Sequence, residues 1–241
     1  MSAHKNSECI NHQNNVDTSV IREAVFGMED GMVSTFGAVT GIAASTGDPY
    51  TVILAGCVII AVESISMGVG SYLSSKSQKE MDERKLAEEQ SEIQKYPREE
   101  KKELLLMYKK EGWPKDLAIQ MAEAASKNKK LFLKEASVQE LKLVPGNFES
   151  PVKNATAMLF AYIIGGMIPL VPYLLLPIAM AIPISIVATL IGLFLLGVGT
   201  TRYSKRSWWK AGLEMLFLAA TAGAIGYFVG QVVQNVFQVQ A

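Results

Sequence analysis

Glu63 and Met67 stand four residues apart in an apolar run at residues 58–75, VIIAVESISMGVGSYLSS. In a helix that spacing stacks a carboxylate and a thioether on one face, where both reach a single cation. A second acidic centre, Asp30, lies in the preceding apolar segment. A carboxylate at the middle of a membrane helix costs about 2.5–3.5 kcal/mol on insertion scales, so such residues face a polar path or a partner. Oxygen ligands supply charge, and the soft thioether favours iron-like metals over magnesium or calcium. The plainer alternative for Glu63 is a bond to a neighbouring helix.

More carboxylates gather in a hydrophilic stretch. Glu89 and Glu92 are three apart, as are Glu100 and Glu103, so each pair shares a helical face. Pro97 turns the chain between the pairs, which lets them converge on one divalent-cation site with Glu140 as a further ligand. The rival reading is an ordinary solvated surface of interspersed Glu and Lys. Imidazole is absent from the candidate ligands, because His4 and His12 are confined to the polar N-terminal lead. Cys9 and Cys57 are too far apart for CxxC metal spacing and form no disulfide framework.

These residues need elements to position them. Mean hydropathy is +0.20 and several apolar runs approach twenty residues, which indicates an all-α integral membrane protein with one polar insertion. Residues 1–19 read as a disordered polar tail without the pattern of a signal peptide. The first two membrane helices occupy residues 20–75. Gly47-Asp48-Pro49 breaks them apart, so the second returns antiparallel beside the first. Asp30 lies about 18 residues before that turn and Met67 about 18 after it, which puts them at equal depth.

Residues 76–148 form a helical domain in which Pro97 and Pro114 open helices and Gly112 closes one. Three more spans follow in residues 149–236, with a tail at 237–241. The prolines of IPLVPYLLLPIAMAIP cannot all sit in a regular helix interior, so they are expected to divide the third span from the fourth. Glu214 is four residues after Lys210 and is expected to pair with it. Arg22 and Glu23 open the first span, either as interfacial charges or as buried ones.

Seventeen Lys and Arg fall in residues 76–153 and four more in the RYSKRSWWK loop. With five spans this bias places the N-terminus and the helical domain in the cytosol and the C-terminus outside. Equal numbers of acidic and basic residues give no sign of a nucleic-acid partner. An enzyme is the least supported class: there is no nucleophile and base constellation, phosphate loop or cofactor motif. A ferritin-like di-iron centre would need Glu-x-x-His pairs, and no histidine follows His12.

The runs GMEDGMVSTFGAVTGIA and ESISMGVGSYLSSKSQKE, followed by the acidic insertion and three later spans, resemble the vacuolar iron transporter family over residues 20–236. That resemblance implies a homodimer of five-span subunits exchanging cytosolic Fe2+, or a similar ion such as Mn2+, for protons. It places Asp30 and Met67 on the translocation path and Glu89, Glu92, Glu100, Glu103 and Glu140 in a cytosolic metal site. Two departures stand out. Ile59 occupies the position of a second-span glutamate of plant members, with Glu63 one turn later. Ala136 and Ser137 replace methionines beside the last-helix glutamate. The insertion looks prokaryotic, which favours a cytoplasmic membrane over a vacuolar one.

The expected function is therefore export of a divalent transition metal from the cytosol against protons, with no prosthetic group and with lipid, metal ions and protons as partners. Metal and protons compete for the same carboxylate oxygens, and exchange follows from that competition. Two alternatives remain open. A membrane-anchored sensor or buffer would bind metal without flux, and a passive channel would carry flux indifferent to pH.

Overall fold

The computed structural model describes residues 18–146, 148–204 and 206–237. All its regular elements there are helical: α1 (Thr18–Thr46), α2 (Pro49–Lys95), α3 (Pro97–Lys110), α4 (Lys115–Ser126), α5 (Lys129–Ala136), a π-helical turn (Ser137–Leu141), α6 (Pro151–Leu175), α7 (Ile178–Ser204) and α8 (Trp208–Phe237). The expectations for the first 17 residues, including His4, Cys9 and His12, and for residues 238–241 lie outside the described residues. The chain divides into two compact units, residues 1–72 with 152–241 and residues 73–151.

Among the described residues four helices, α2, α6, α7 and α8, are long and apolar enough to cross a membrane. α1 is equally long but carries Arg22, Glu23, Glu29 and Asp30. In the first unit it is covered by its neighbours instead of by its own hydropathy. A Cβ at Gly27 would lie 2.6 Å from the Met158 carbonyl of α6, and one at Gly41 would lie 2.6 Å from the Gly226 carbonyl of α8. Glycine lets the helix backbones approach this closely, the device that drives helix association where lipid offers no hydrophobic gradient. Val39 and Ala43 of α1 share a buried cluster with Val52 and Ile60 of α2, Leu170 and Tyr173 of α6 and Ala181 of α7.

The turn between α1 and α2 follows from its three residues. Gly47 takes the left-handed φ of +62°, Asp48 accepts hydrogen bonds from the Thr51 N–H (2.9 Å) and hydroxyl, and Pro49 starts α2. Those bonds from Thr51 hold the Asp48 carboxyl below the usual carboxylate range.

The proline-rich run divides two helices as expected, and at only one of its prolines. Pro169 and Pro172 lie inside α6 and Pro183 inside α7, and the chain breaks only around Pro177. Membrane helices tolerate interior proline where a neighbour supplies the missing polar contacts. Ser185 of α7 donates to the Pro169 carbonyl at 2.7 Å, tying the two helices beside these prolines.

The second unit is a small helical domain around Ile93, Leu104, Tyr108, Ala118, Ala122, Ala125, Phe132 and Ala136. Pro97 begins α3, and Gly112, at φ +98°, follows its end. Asn128 caps α5 by accepting from the Lys130 and Leu131 amides. Tyr108 is buried and donates to Glu135 at 2.9 Å, and that contact together with burial raises its phenol well above the ordinary value.

Candidate functional site

In the second unit the carboxylates come from three elements. Glu89 sits on α2, Glu100 on α3 and Glu140 in the π-helical turn, and one oxygen from each lies within 4.8 Å of the others. Lys76, Lys79 and Arg84 pair along the outside of α2 with Glu80, Glu83 and Glu88. Glu89 points inward instead and is only 2% exposed, with one oxygen that has no hydrogen-bond partner. The turn that carries Glu140 ends at Lys142, whose left-handed φ of 57° closes it. π-Turns of this kind recur at functional sites, where they re-aim a side chain out of the regular helical register.

Crowding sets the electrostatics of this cluster. Burial, then the charges of Glu140 and Glu100, push Glu89 up to about 7, and protonated Glu89 donates to Glu140. Burial and Glu103 raise Glu100, and the same two causes raise Glu140. Glu92 and Glu103 are exposed, yet both act on Glu140 through charge. Five carboxyl groups crowd together here, one of them protonated and with an oxygen that is buried without a partner. Three carboxylate oxygens this close could hold a divalent cation, for which such hard donors are suited.

In the first unit Asp30 of α1 and Glu63 of α2 lie within electrostatic range of each other, both half-buried. Met67 is half-buried one turn beyond Glu63. Next to it, Gly68 faces Ala155 and Leu159 of α6, so α2 lies close to α6 at this level. Glu63 has a partner that spacing did not reveal. Tyr162 of α6, fully buried, donates its hydroxyl to Glu63 and in turn lies 2.5 Å from the Ser34 hydroxyl of α1. Because the phenol has a single hydrogen and gives it to the carboxylate, Ser34 is the donor in that second contact. A tyrosine in the middle of an apolar span needs a partner for its hydroxyl, which is the signal that could have singled out Tyr162.

Two other acidic groups of this unit have partners among the described residues. Glu23 is held by Arg22 at 3.0 Å and by the Ser71 hydroxyl at 2.7 Å. Glu214 pairs with Arg206 at 2.8 Å and not with Lys210, whose ammonium lies over the Trp209 ring at 5.5 Å. The expected helical pair is replaced because a stacked ammonium keeps its contact with water while the Arg206 guanidinium reaches the carboxylate from the preceding loop.

A wholly helical fold with four long apolar helices, and carboxylates placed on the inner faces of its bundle, defines an integral membrane protein suited to handling cations. The sequence model of the VIT family matches residues 21–231, and the chain belongs to that family. It is similar to vacuolar iron transporter 1 of Arabidopsis thaliana, with 30% identity over 90% of this chain and 87% of the relative. It is also similar to the vacuolar iron transporters of Toxoplasma gondii (29% identity; 94% and 78% covered) and Plasmodium falciparum (26%; 92% and 85%). The chain is thus a member of a transporter family and not an enzyme.

Proposed function

We propose that this protein carries a divalent transition metal, Fe2+ in the first place and Mn2+ by the same chemistry, out of the cytosol in exchange for protons. The observation that carries the reading is the approach of Asp30 and Glu63, two carboxylates from different helices, inside an apolar bundle. Two such groups have no use for one another except to share a cation or protons. Met67 adds the soft donor, and Tyr162 with Ser34 fixes the rotamer of Glu63 so that its other oxygen is presented.

In this reading α1 is a fifth span, shielded by α6 and α8, and the second unit is cytosolic. Glu89, Glu100 and Glu140, with Glu92 and Glu103 at the rim, bind the same metal and raise its local concentration. The names of the relatives support iron as the cargo, and the chain would act as a homodimer in a cytoplasmic membrane. Metal arrival expels protons from the carboxylates, and proton arrival from the opposite side expels metal.

The test is Fe2+ uptake into proteoliposomes that hold a metal-quenched dye, with the lumen acidic or at equal pH. Uptake that rises with the acidic lumen and vanishes in Asp30→Asn supports the exchange. Uptake indifferent to the gradient would make the protein a channel, and binding without any uptake would make it a sensor.

A further inference from the structure

Thr35 follows Ser34 on α1, and its hydroxyl has no place in that scheme. The residue is completely buried, and its hydroxyl oxygen has no hydrogen-bond partner among the described residues. Buried hydroxyls are paired as a rule, because an unpaired one bears the full cost of leaving water. Two buried hydroxyls of α7 obey it: Ser185 donates to the Pro169 carbonyl, and Thr189 donates to the Ser185 carbonyl at 2.8 Å. Threonine inside a helix ordinarily makes that second kind of bond, to the turn behind it.

The surroundings give the orphaned oxygen a direction. A Cβ at Gly166 of α6 would stand 2.9 Å from it and 2.7 Å from Ile60 Cγ1 of α2, so three helices meet at this oxygen. Each of the three residues adjoins a member of the Glu63 group. Thr35 follows Ser34, Gly166 is one turn beyond Tyr162, and Ile60 is three residues from Glu63. Thr35 therefore stands one level from the Glu63 carboxylate, on the side of the turn between α1 and α2. The next level is apolar: a Cβ at Gly56 would lie 2.5 Å from Leu170 and 3.2 Å from Val39, both fully buried.

We propose that Thr35 is a further ligand of the transported cation, a neutral station between the site of Asp30, Glu63 and Met67 and the apolar seam of Val39, Gly56 and Leu170. This rests on the translocation reading above. A hydroxyl is a hard oxygen donor that hardly discriminates between Fe2+, Mn2+ and Mg2+, so selectivity stays with Met67. Its use is to carry no charge. Transport needs sites that hold an ion weakly enough to release it, and a neutral oxygen about 7.5 Å along α1 from Asp30 lets the ion step away from the carboxylates without losing every protein ligand. A second oxygen belongs to the same turn of α6, where Pro169 has no N–H to offer the Gly165 carbonyl four residues before it. Carbonyls at breaks in helical bonding coordinate the cations of membrane transporters. The unpaired hydroxyl costs stability in the metal-free protein, and the arriving ion relieves that cost.

Two substitutions in the full-length chain separate the oxygen from the shape. Thr35→Val keeps the branched outline and removes the oxygen, whereas Thr35→Ser keeps the oxygen and removes a methyl group. Saturation of Fe2+ uptake is measured in proteoliposomes. Thermal unfolding and equilibrium Mn2+ binding are measured in detergent, the binding on an E89Q/E100Q/E140Q background that silences the cytosolic cluster. Thr35→Val should melt no lower than the native chain, bind Mn2+ within about twofold of it, and take up Fe2+ about tenfold more slowly at saturation, the pattern of a contact made only during passage. Thr35→Ser should keep at least about half of the native rate. A native rate in Thr35→Val, or equal losses in Thr35→Val and Thr35→Ser, would overturn the station and leave translocation intact. If Thr35→Val does not fold, Thr35→Ala against Thr35→Ser decides by the same comparison. A native chain that takes up no Fe2+ would sink the translocation reading and the station with it.

Discussion

Tyr162 of α6 donates its hydroxyl to Glu63 of α2, across 99 residues of sequence. The contact joins two helices and leaves the carboxylate with one oxygen for other partners. Tyr162→Phe removes the donor while keeping the ring. A hydrogen bond to a charged group contributes about 1.5–3 kcal/mol, so the variant should fold yet hold Glu63 loosely. The expected outcome is a fall in the Fe2+ uptake rate of roughly tenfold or more, with Ser34→Ala producing a smaller loss because it touches Glu63 only through the phenol. Initial rates in proteoliposomes check both. Equal rates in Tyr162→Phe and the native chain would mean that the contact serves packing alone.

Glu89 supplies a prediction in pH. Its carboxyl is held up at about 7 in the folded unit against 4.5 in its absence, so the fold favours the protonated form. Without metal, the contribution of Glu89 to stability is full below pH 4.5 and is lost as pH rises to 7, after which it is flat. Bound metal reverses the penalty by taking the place of the proton. Mn2+ affinity should therefore climb by up to tenfold per pH unit between about 5.5 and 7 and then level off. Glu89→Gln should flatten the melting temperature of the metal-free protein across that range and weaken Mn2+ binding at pH 7.5. Titration calorimetry in two buffers of different ionisation enthalpy reads the proton release directly. A pH-independent affinity would remove Glu89 from the ligand set.

The ease of reading this chain varies with the range of the interactions involved. Pro97, Gly112 and Asn128 mark helix ends in the second unit because a missing N–H, a left-handed φ and a capping amide act within a few residues. Periodicity paired Glu89 with Glu92 on one side of α2, yet Glu89 is buried and Glu92 exposed, because which side meets α3 is decided by packing between the helices. The break at Pro177 was legible because a proline that follows a helix end lacks the N–H to continue it, while Pro169, Pro172 and Pro183 stay inside helices. Glu214 was paired with the wrong base because the local partner Lys210 is engaged by Trp209, which a spacing rule does not weigh. Tyr162 and Ser71 were invisible because their partners, Glu63 and Glu23, are distant in sequence and met only through packing.

The contact between α1 and α8 gives a prediction on stability. A methyl group at Gly41 would stand 2.6 Å from the Gly226 carbonyl, which is backbone and cannot swing aside. Gly41→Ala should separate the helices and cost about 1–3 kcal/mol, the usual penalty of overpacking. Gly70→Ala is the control, because a Cβ there meets nothing within 4 Å. Thermal unfolding of the detergent-solubilised protein should drop for Gly41→Ala and hold or rise slightly for Gly70→Ala, which gains helix propensity. Equal midpoints for the two variants would contradict the close approach.

Met67 tests the choice of metal. It is half-buried on the face of α2 that carries Glu63, and it is the one soft donor in the proposed set of Asp30, Glu63 and Met67. Met67→Leu keeps the volume and apolar surface of the side chain, so folding should change by less than about 1.5 kcal/mol. What disappears is the polarisable sulfur, while both carboxylates remain to attract any divalent ion. The variant should lose roughly tenfold in preference for Fe2+ over Mg2+, measured as the Mg2+ concentration that halves Fe2+ uptake. Met67→Cys restores a sulfur ligand and should recover part of the preference. Competition by Mg2+ that is the same in the native chain and Met67→Leu would show that the thioether only packs, and that the carboxylates alone set which ion is taken.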